Sequence, residues 1–196
     1  MSAVKETLAT RNKRELQHLK EEVRSHLRII SDFPKPGIRF VDIMPLFRQP
    51  SLLNELCHAI AEHVRVELPV TVNLVTGLEA RGFLFGPSIA MALNVPFFPI
   101  RKRGKLPGKI IQETYTKEYG DDVVEVQADA IVPGSKVLLV DDLLATGGTL
   151  AAAVRLIEKA GGDVVEAFTL IELTYLNARK TLPKHIPVYS LITLDE

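Results

Sequence analysis

Residues 137–149 combine groups that could bind an anion with groups that could bind a sugar. Four consecutive apolar residues, 137–140, predict a strand buried on both faces, as in a parallel sheet. Asp141 and Asp142 follow, and two glycines flanked by threonines then precede an apolar pattern at helical spacing. This order predicts a strand, a carboxylate pair, a tight loop and the start of a helix.

The loop residues suit a phosphate. Glycines let a backbone approach closely and expose its N–H groups. Together with the hydroxyls of Thr146 and Thr149 and the positive end of the following helix, these N–H groups would form a phosphate cradle. Asp141 and Asp142 would repel that phosphate, so we expect them to face sugar hydroxyls or a developing oxocarbenium centre. A phosphate beside a sugar predicts a ribose 5-phosphate unit as part of the ligand.

Two further stretches could bind a second anion. Residues 76–86 predict another strand–loop–helix unit, in which Arg81 supplies a guanidinium that suits paired phosphate oxygens. Residues 101–109 carry five basic side chains, interrupted by glycine and proline. In a chain of zero formal net charge, a positive cluster beside two anion loops would attract pyrophosphate.

The elements that must position these groups follow from hydrophobic periodicity and from glycine and proline breaks. The predicted elements are a helix at 11–30, a helix capped by Ser51 and extending to 64, strands at 70–75, 95–100, 123–126, 137–140, 164–173 and 188–194, a helix ending at 160, and a short helix at 177–182. Residues 112–120 predict a long excursion that could act as a lid. The order predicts an α/β fold with a central, mostly parallel sheet flanked by helices, and a ligand site outside the carboxyl ends of its strands.

Composition narrows the function classes. The 196 residues allow one domain with a full core, and 24 basic against 24 acidic side chains favour neither nucleic acid nor an anionic membrane as a partner. A single cysteine, Cys57, excludes an internal disulfide and suits a reducing compartment. We find no membrane-spanning stretch or signal peptide, so we expect a cytoplasmic protein.

Residues 140–149 resemble the phosphoribosyl-pyrophosphate (PRPP) motif of the type I phosphoribosyltransferases. More narrowly, Asp-Asp-Leu-Leu-Ala-Thr-Gly-Gly-Thr at 141–149 resembles the adenine phosphoribosyltransferases, as do 33–43, 76–86 and Tyr-Thr-Lys-Glu-Tyr-Gly at 115–120. The resemblance extends from Phe33 to the C-terminus. It implies the type I phosphoribosyltransferase fold as one domain over 1–196, with an N-terminal helix and hood at 1–45 and a flexible catalytic loop at 103–126.

The resemblance implies transfer of 5-phosphoribosyl from PRPP to adenine, giving AMP and pyrophosphate with Mg²⁺ as cofactor. It assigns Glu118 as general acid/base, Tyr119 as a residue that closes over the reaction centre, and Arg81, Asp141 and Asp142 as further catalytic residues. The implied PRPP and AMP contacts of the phosphate and ribose are Val140, Asp141, Asp142, Ala145, Thr146, Gly147, Gly148 and Thr149.

The implied pyrophosphate contacts are Leu78, Glu79, Ala80, Arg81, Arg101, Lys102 and Lys105, and the implied adenine contacts are Ile38, Arg39, Val41 and Leu143. Val41 stands where a basic residue is common in the family, so only its backbone is expected to read the base. The resemblance also implies a cis peptide at 78–79, and Mg²⁺ held through PRPP and water, with Glu79 and Asp141 as further candidates. It implies a homodimer.

Three alternatives stay open from the sequence. The first is a transferase specific for a 6-oxopurine, which would need a donor such as lysine at the base edge. The second is a non-catalytic regulator that binds PRPP, although such a protein usually carries a basic nucleic-acid surface. The third is an ordinary strand-to-helix turn at 140–149 whose acids cap a helix.

Overall fold

The computed structural model describes residues 2–117 and 120–195, with side chains described from residue 10 onward except at 12 and 117. The chain divides into two compact units, Met1–Glu67 and Leu68–Glu196. The expectation of one domain over 1–196 stays a prediction. Among the described residues, no helix combines the length and apolarity needed to cross a membrane.

The first unit consists of two helices and a two-stranded antiparallel sheet. Its elements are α1 Ser2–Ser25, β1 Arg28–Ser31, β2 Arg39–Asp42, a 3₁₀ helix Met44–Arg48, and α2 Pro50–Glu67. The predicted helix at 11–30 was too long at its end, because Ile30 pairs with Phe40 in the β1–β2 ladder. Helix α2 begins at Pro50, one residue before the expected cap Ser51, and proline is well tolerated in a first turn.

The second unit is a seven-stranded sheet with helices. Its elements are β3 Leu74–Leu78, a 3₁₀ helix Arg81–Leu84, α3 Gly86–Leu93, β4 Phe97–Lys102, β5 Ile110–Lys117, β6 Gly120–Gln127, β7 Lys136–Leu144, α4 Gly148–Lys159, β8 Asp163–Leu173, 3₁₀ turns Thr174–Leu176 and Ala178–Lys180, and β9 Val188–Leu194. The strand order is β5-β6-β4-β3-β7-β8-β9. Five adjacent strands, β4-β3-β7-β8-β9, pair in parallel. Strand β6 pairs antiparallel with both β4 and β5. The predicted α/β class with a mostly parallel sheet is confirmed.

Strand boundaries differ from the prediction where sheet pairing decides them. Strand β3 begins at Leu74 rather than Val70 and includes Gly77, because its residue pairing begins at Leu74 with β7 and at Val75 with β4. Strand β7 continues through both aspartates to Leu144, since β8 pairs with it along this length. The carboxylates therefore stand on the strand instead of after it.

Of the predicted excursion at 112–120, residues 112–117 lie on β5 and Gly120 begins β6, and residues 118–119 lie outside the described residues. Strands β5 and β6 pair in continuous register from Ile110 with Gln127 to Lys117 with Gly120. Helix α4 packs on the sheet through fully buried apolar side chains, and it ends before Gly161, whose φ of +91° suits a helix terminus. The predicted short helix at 177–182 is replaced by the two 3₁₀ turns, and the predicted edge strand β9 is confirmed.

Candidate active site

A cavity of about 230 Å³ lies where β3 and β7 end, as expected for a parallel sheet. Its lining residues are Glu79, Ala80, Arg81, Lys102, Tyr115 and the continuous run 141–150. The structure thus brings the glycine–threonine loop, both aspartates and part of the expected pyrophosphate group to one site. Four of the described residues assigned to the phosphate, ribose or pyrophosphate do not line this cavity: Leu78, Val140, Arg101 and Lys105.

The loop at 145–149 forms the start of α4. Gly147 has a φ of +84°, and a Cβ there would lie 2.8 Å from the Ala178 carbonyl oxygen, so this position requires glycine. No side chain caps α4, and the first backbone hydrogen bond into the helix runs from Ala151 N to Gly147 O. The earlier N–H groups of this turn have no intrahelical acceptor. The geometry can therefore bind an anion such as phosphate.

Of the two carboxylates, Asp142 is buried and contacts an arginine, whereas Asp141 is half-buried at the cavity. Asp142 is 3% exposed, and its Oδ2 lies 3.0 Å from Arg81 Nε. Burial raises the pKa of the Asp141 carboxyl well above its usual value, and the charge of Asp142 adds to that rise. Burial also raises the pKa of Asp142, although Arg81 opposes the shift. Two such carboxyls will favour a ligand that donates hydrogen bonds or develops positive charge.

Glu79 is held by a charged partner at the mouth of the cavity. Its two carboxylate oxygens accept from Arg101 Nε at 3.2 Å and Nη2 at 3.3 Å, and Lys102 N donates to it at 2.9 Å. The hydrogen bonds from Arg101 and then from Lys102 hold the pKa of Glu79 below its usual value, against the effect of burial. Arg101 and the backbone of Lys102 therefore hold the Glu79 carboxylate against the end of β4.

The cis peptide expected at 78–79 lies one bond later, between Glu79 and Ala80. The prediction was wrong because regular strand pairing persists through this point. Leu78 is in register with Ile100, and Glu79 N still donates to Ile100 O. The departure from strand geometry therefore begins only after Glu79.

The loop at 79–84 packs closely on β7 through a glycine to which the sequence assigned no role. A Cβ on Gly82 would lie 2.5 Å from the Val140 carbonyl oxygen, and one on Gly77 would lie 2.9 Å from Gly82 O. Both neighbours are backbone atoms. This close approach places Arg81 within reach of Asp142. In the sequence, only the two glycines of Thr-Gly-Leu-Glu-Ala-Arg-Gly at 76–82 indicate that two backbones meet here.

A second residue without an assigned role is Glu125, which is fully buried. It accepts hydrogen bonds from Lys105 N at 2.8 Å, Leu106 N at 3.0 Å and Gln112 Nε2 at 3.1 Å. Burial alone would raise its pKa, but the hydrogen bonds from Gln112 and the backbone outweigh it and lower the pKa. Glu125 thus anchors the turn at 105–106, which is called the basic turn below because it lies within the basic segment 101–109. In the sequence, the only signal of this role was a charged residue between two apolar residues of a strand.

Tyr115 is a third missed residue. Its side chain is 6% exposed and lines the cavity, and its hydroxyl accepts from Thr149 Oγ1 at 3.2 Å. The candidate catalytic residues Glu118 and Tyr119 lie outside the described residues, so their roles stay predictions.

The expected adenine contacts fall in both units. Arg39 and Val41 lie on β2 of the first unit, where the Val41 side chain is buried and Ile38, just before the strand, is exposed. Leu143 lines the cavity of the second unit. Their grouping as a base site stays a prediction.

Two of the cavity's carboxylates, Glu79 and Asp141, carry the type of oxygen ligand that Mg²⁺ prefers. Within residues 2–117 and 120–195, no group of three or more His, Cys, Asp or Glu side chains could hold a metal. These residues therefore fit Mg²⁺ carried largely by substrate oxygens and water rather than by a protein cage.

Residues 45–195 match the phosphoribosyl transferase domain family. An adenine phosphoribosyltransferase of Caenorhabditis elegans is 57% identical over 177 residues, which are 90% of this chain and 95% of the relative. The Saccharomyces cerevisiae enzyme, solved with adenine and an imino-altritol bisphosphate, is 43% identical with a TM-score of 0.86, covering 89% of this chain and 99% of that one. The Trypanosoma brucei enzyme, solved with AMP, pyrophosphate and ribose 5-phosphate, is 29% identical with a TM-score of 0.81. The match covers 89% of this chain and 79% of that one. The resemblance noted in the sequence is confirmed: the chain belongs to the phosphoribosyltransferase family and, within it, to the adenine phosphoribosyltransferases.

Proposed function

We propose that this protein transfers the 5-phosphoribosyl group of PRPP to adenine, giving AMP and pyrophosphate in purine salvage. The observation that carries the proposal is the single cavity shared by the anion-binding start of α4, the two aspartates, Arg81 and Lys102. A ribose with a 5-phosphate and a pyrophosphate at C1 matches this arrangement of charges. Relatives solved with adenine, or with AMP and pyrophosphate, support the choice of substrates and products.

In this proposal each part of the cavity binds one part of PRPP. The N–H groups and threonine hydroxyls of 145–149 bind the 5-phosphate, and Asp141 and Asp142 accept hydrogen bonds from the ribose hydroxyls. Backbone and basic groups of Glu79, Ala80, Arg81 and Lys102 meet the pyrophosphate. The Arg101–Glu79 ion pair holds this second group in place.

Departure of pyrophosphate leaves positive charge on C1 of the ribose. The carboxylates of Asp141 and Asp142, already placed at the cavity, stabilise that charge without reorganising. Arg81 offsets the negative charge of the departing group. When bound, Mg²⁺ neutralises further charge on the pyrophosphate oxygens. Glu118 manages the proton on N7 of the base, which typically contributes about 10²–10⁴-fold.

The base is read by main-chain groups at Arg39 and Val41, with apolar cover from Ile38 and Leu143. Adenine presents an amino group where hypoxanthine, guanine and xanthine present a carbonyl, so backbone carbonyls favour adenine. The names of the relatives support adenine over a 6-oxopurine. We further propose that the protein works as a homodimer in the cytoplasm with Mg²⁺.

The test is release of pyrophosphate from PRPP with adenine, hypoxanthine, guanine and xanthine in separate reactions, with and without Mg²⁺. We expect rapid release only with adenine and Mg²⁺. Faster release with a 6-oxopurine would contradict the assigned base. Tight PRPP binding without release on addition of any base would instead indicate a regulator.

A further inference from the structure

The hydroxyl of Tyr115 joins the phosphate-binding loop to the β5–β6 hairpin. Thr149 Oγ1 donates to the Tyr115 oxygen at 3.2 Å, and the Tyr115 hydroxyl donates to Asp122 Oδ2 at 3.3 Å. Tyr115 and Asp122 are direct partners in the β5–β6 register. The ring is almost fully buried and lines the cavity beside Thr149. One hydroxyl therefore lies between a loop that binds an anion and a carboxylate.

The direction of these hydrogen bonds is set by the number of protons. A tyrosine hydroxyl has one proton, and an ionised carboxylate can only accept, so the Tyr115 proton is directed to Asp122. Thr149 then uses its own single proton on the Tyr115 oxygen. In this arrangement the Thr149 hydroxyl is not donating toward the cavity.

A 5-phosphate bound by the loop changes this arrangement. Its charged oxygens are stronger acceptors than a phenol oxygen, so the Thr149 proton turns toward the phosphate. The Thr149 oxygen can then accept, and a proton from Tyr115 directed to it would strengthen the Thr149–phosphate bond through polarisation. That proton must leave Asp122.

Helix α4 holds the tyrosine in place while the protons rotate. Arg155 Nε contacts Glu113 Oε1 at 2.8 Å, and Lys159 Nζ donates to the Gln112 carbonyl at 2.7 Å. These contacts tie β5 to the helix that begins at the phosphate loop. The switch therefore needs rotation of two hydroxyls and no movement of the ring.

We propose that Tyr115 is a positioning residue whose hydrogen bond reverses direction when the 5-phosphate binds, so that its hydroxyl supports phosphate binding while Asp122 opposes it. The proposal rests on the proposed function, which assigns the 5-phosphate to this loop. It distinguishes two residues that face each other across one hairpin. Their removal should have opposite effects on the same ligand.

The test is calorimetric binding of ribose 5-phosphate to the full chain and its variants, which does not require turnover. Tyr115→Phe keeps the ring and should weaken binding about three- to tenfold, the usual effect of one hydrogen bond. Asp122→Asn keeps the shape, weakens the competing acceptor, and should tighten binding about two- to fivefold. In the double variant, Asp122→Asn should have no effect, because the hydroxyl it acts through is absent. Tyr175→Phe, at an exposed tyrosine outside the cavity, is the matched control and should bind as the wild type does.

Tightening by Asp122→Asn that persists in the Tyr115→Phe background would indicate simple charge repulsion and overturn the proposal, as would unchanged binding by Tyr115→Phe. In steady-state assays the shift should appear in KM for PRPP and not in KM for adenine at saturating PRPP. If the wild type binds ribose 5-phosphate and the variants show these shifts, but the wild type releases no pyrophosphate, the hydroxyl switch stands and the proposed function fails. A wild type that does not bind ribose 5-phosphate would overturn both.

Discussion

Replacing Gly82 with alanine should disable the site without removing any group that contacts substrate. An added Cβ would lie 2.5 Å from the Val140 carbonyl oxygen, whereas ordinary contacts of a Cβ begin at 3.4 Å. Since both sides of this contact are backbone, the loop and β7 must separate by about 1 Å. Arg81, the preceding residue, would then lose its 3.0 Å approach to Asp142.

Two effects of different size should follow. Overpacking of this kind typically lowers the free energy of unfolding by about 1–3 kcal/mol. A displacement of about 1 Å in a site that depends on placement costs about 10²-fold in rate. We therefore expect kcat/KM for PRPP to fall about 100-fold while the variant stays folded at 25 °C, as measured by pyrophosphate release and by urea unfolding.

Gly134→Ala is the matched control. Gly134 does not line the cavity and has a φ of +85° with no atom within 4 Å of an added Cβ, so alanine there introduces backbone strain of about 1–2 kcal/mol outside the site. It should lower stability to a similar extent with kcat/KM unchanged. Wild-type kcat/KM in Gly82→Ala would refute the idea that close packing of this loop on β7 places Arg81.

Three further changes test separate parts of the site. Burial raises the pKa of Asp141 in the folded state, so its contribution to stability is complete below the unfolded value of about 3.9 and is lost as pH rises through the folded value. Asp141→Asn should therefore gain unfolding free energy relative to the wild type as pH rises from about 4 to 8 in urea titrations, while losing activity, and a pH-independent difference would contradict this. Glu125→Ala leaves the amides of the turn at 105–106 without their acceptor and should lower the free energy of unfolding by about 2–3 kcal/mol and raise KM for PRPP; an unchanged KM would exclude a role for that turn in binding. Glu118→Gln should reduce kcat by about 10²–10⁴-fold with little change in PRPP affinity, and unchanged kcat would remove it from the mechanism.

The phosphate loop and the carboxylate pair were predictable because their chemistry is local. A buried strand, two acids, a glycine pair and a helix start follow one another within thirteen residues, 137–149. Such a unit positions its own groups whatever sheet it joins. The α/β class was predictable for a similar reason, since strands and helices alternate along the chain. The resemblance to a known family added expected roles for residues whose chemistry is not local.

The boundaries of the strands and the pairing of their residues were harder to predict from the sequence. Strand β3 begins four residues later than predicted, and β7 includes the aspartates, because hydrogen bonds from neighbouring strands decide where a strand begins and ends. Apolar patterning marks which residues are buried but not which carbonyl meets which amide. The cis peptide at 79–80 was misplaced by one bond for the same reason.

The sequence by itself determined the identities of the groups that can bind phosphate and ribose, because they are contiguous. Only the tertiary structure decided that Arg81 meets Asp142, that Glu125 holds the basic turn, and that Tyr115 contacts Thr149. Each of these contacts joins residues on different strands or loops. Their distances depend on strand register and on glycines that allow two backbones to touch, and neither is set by the residues adjacent in the chain.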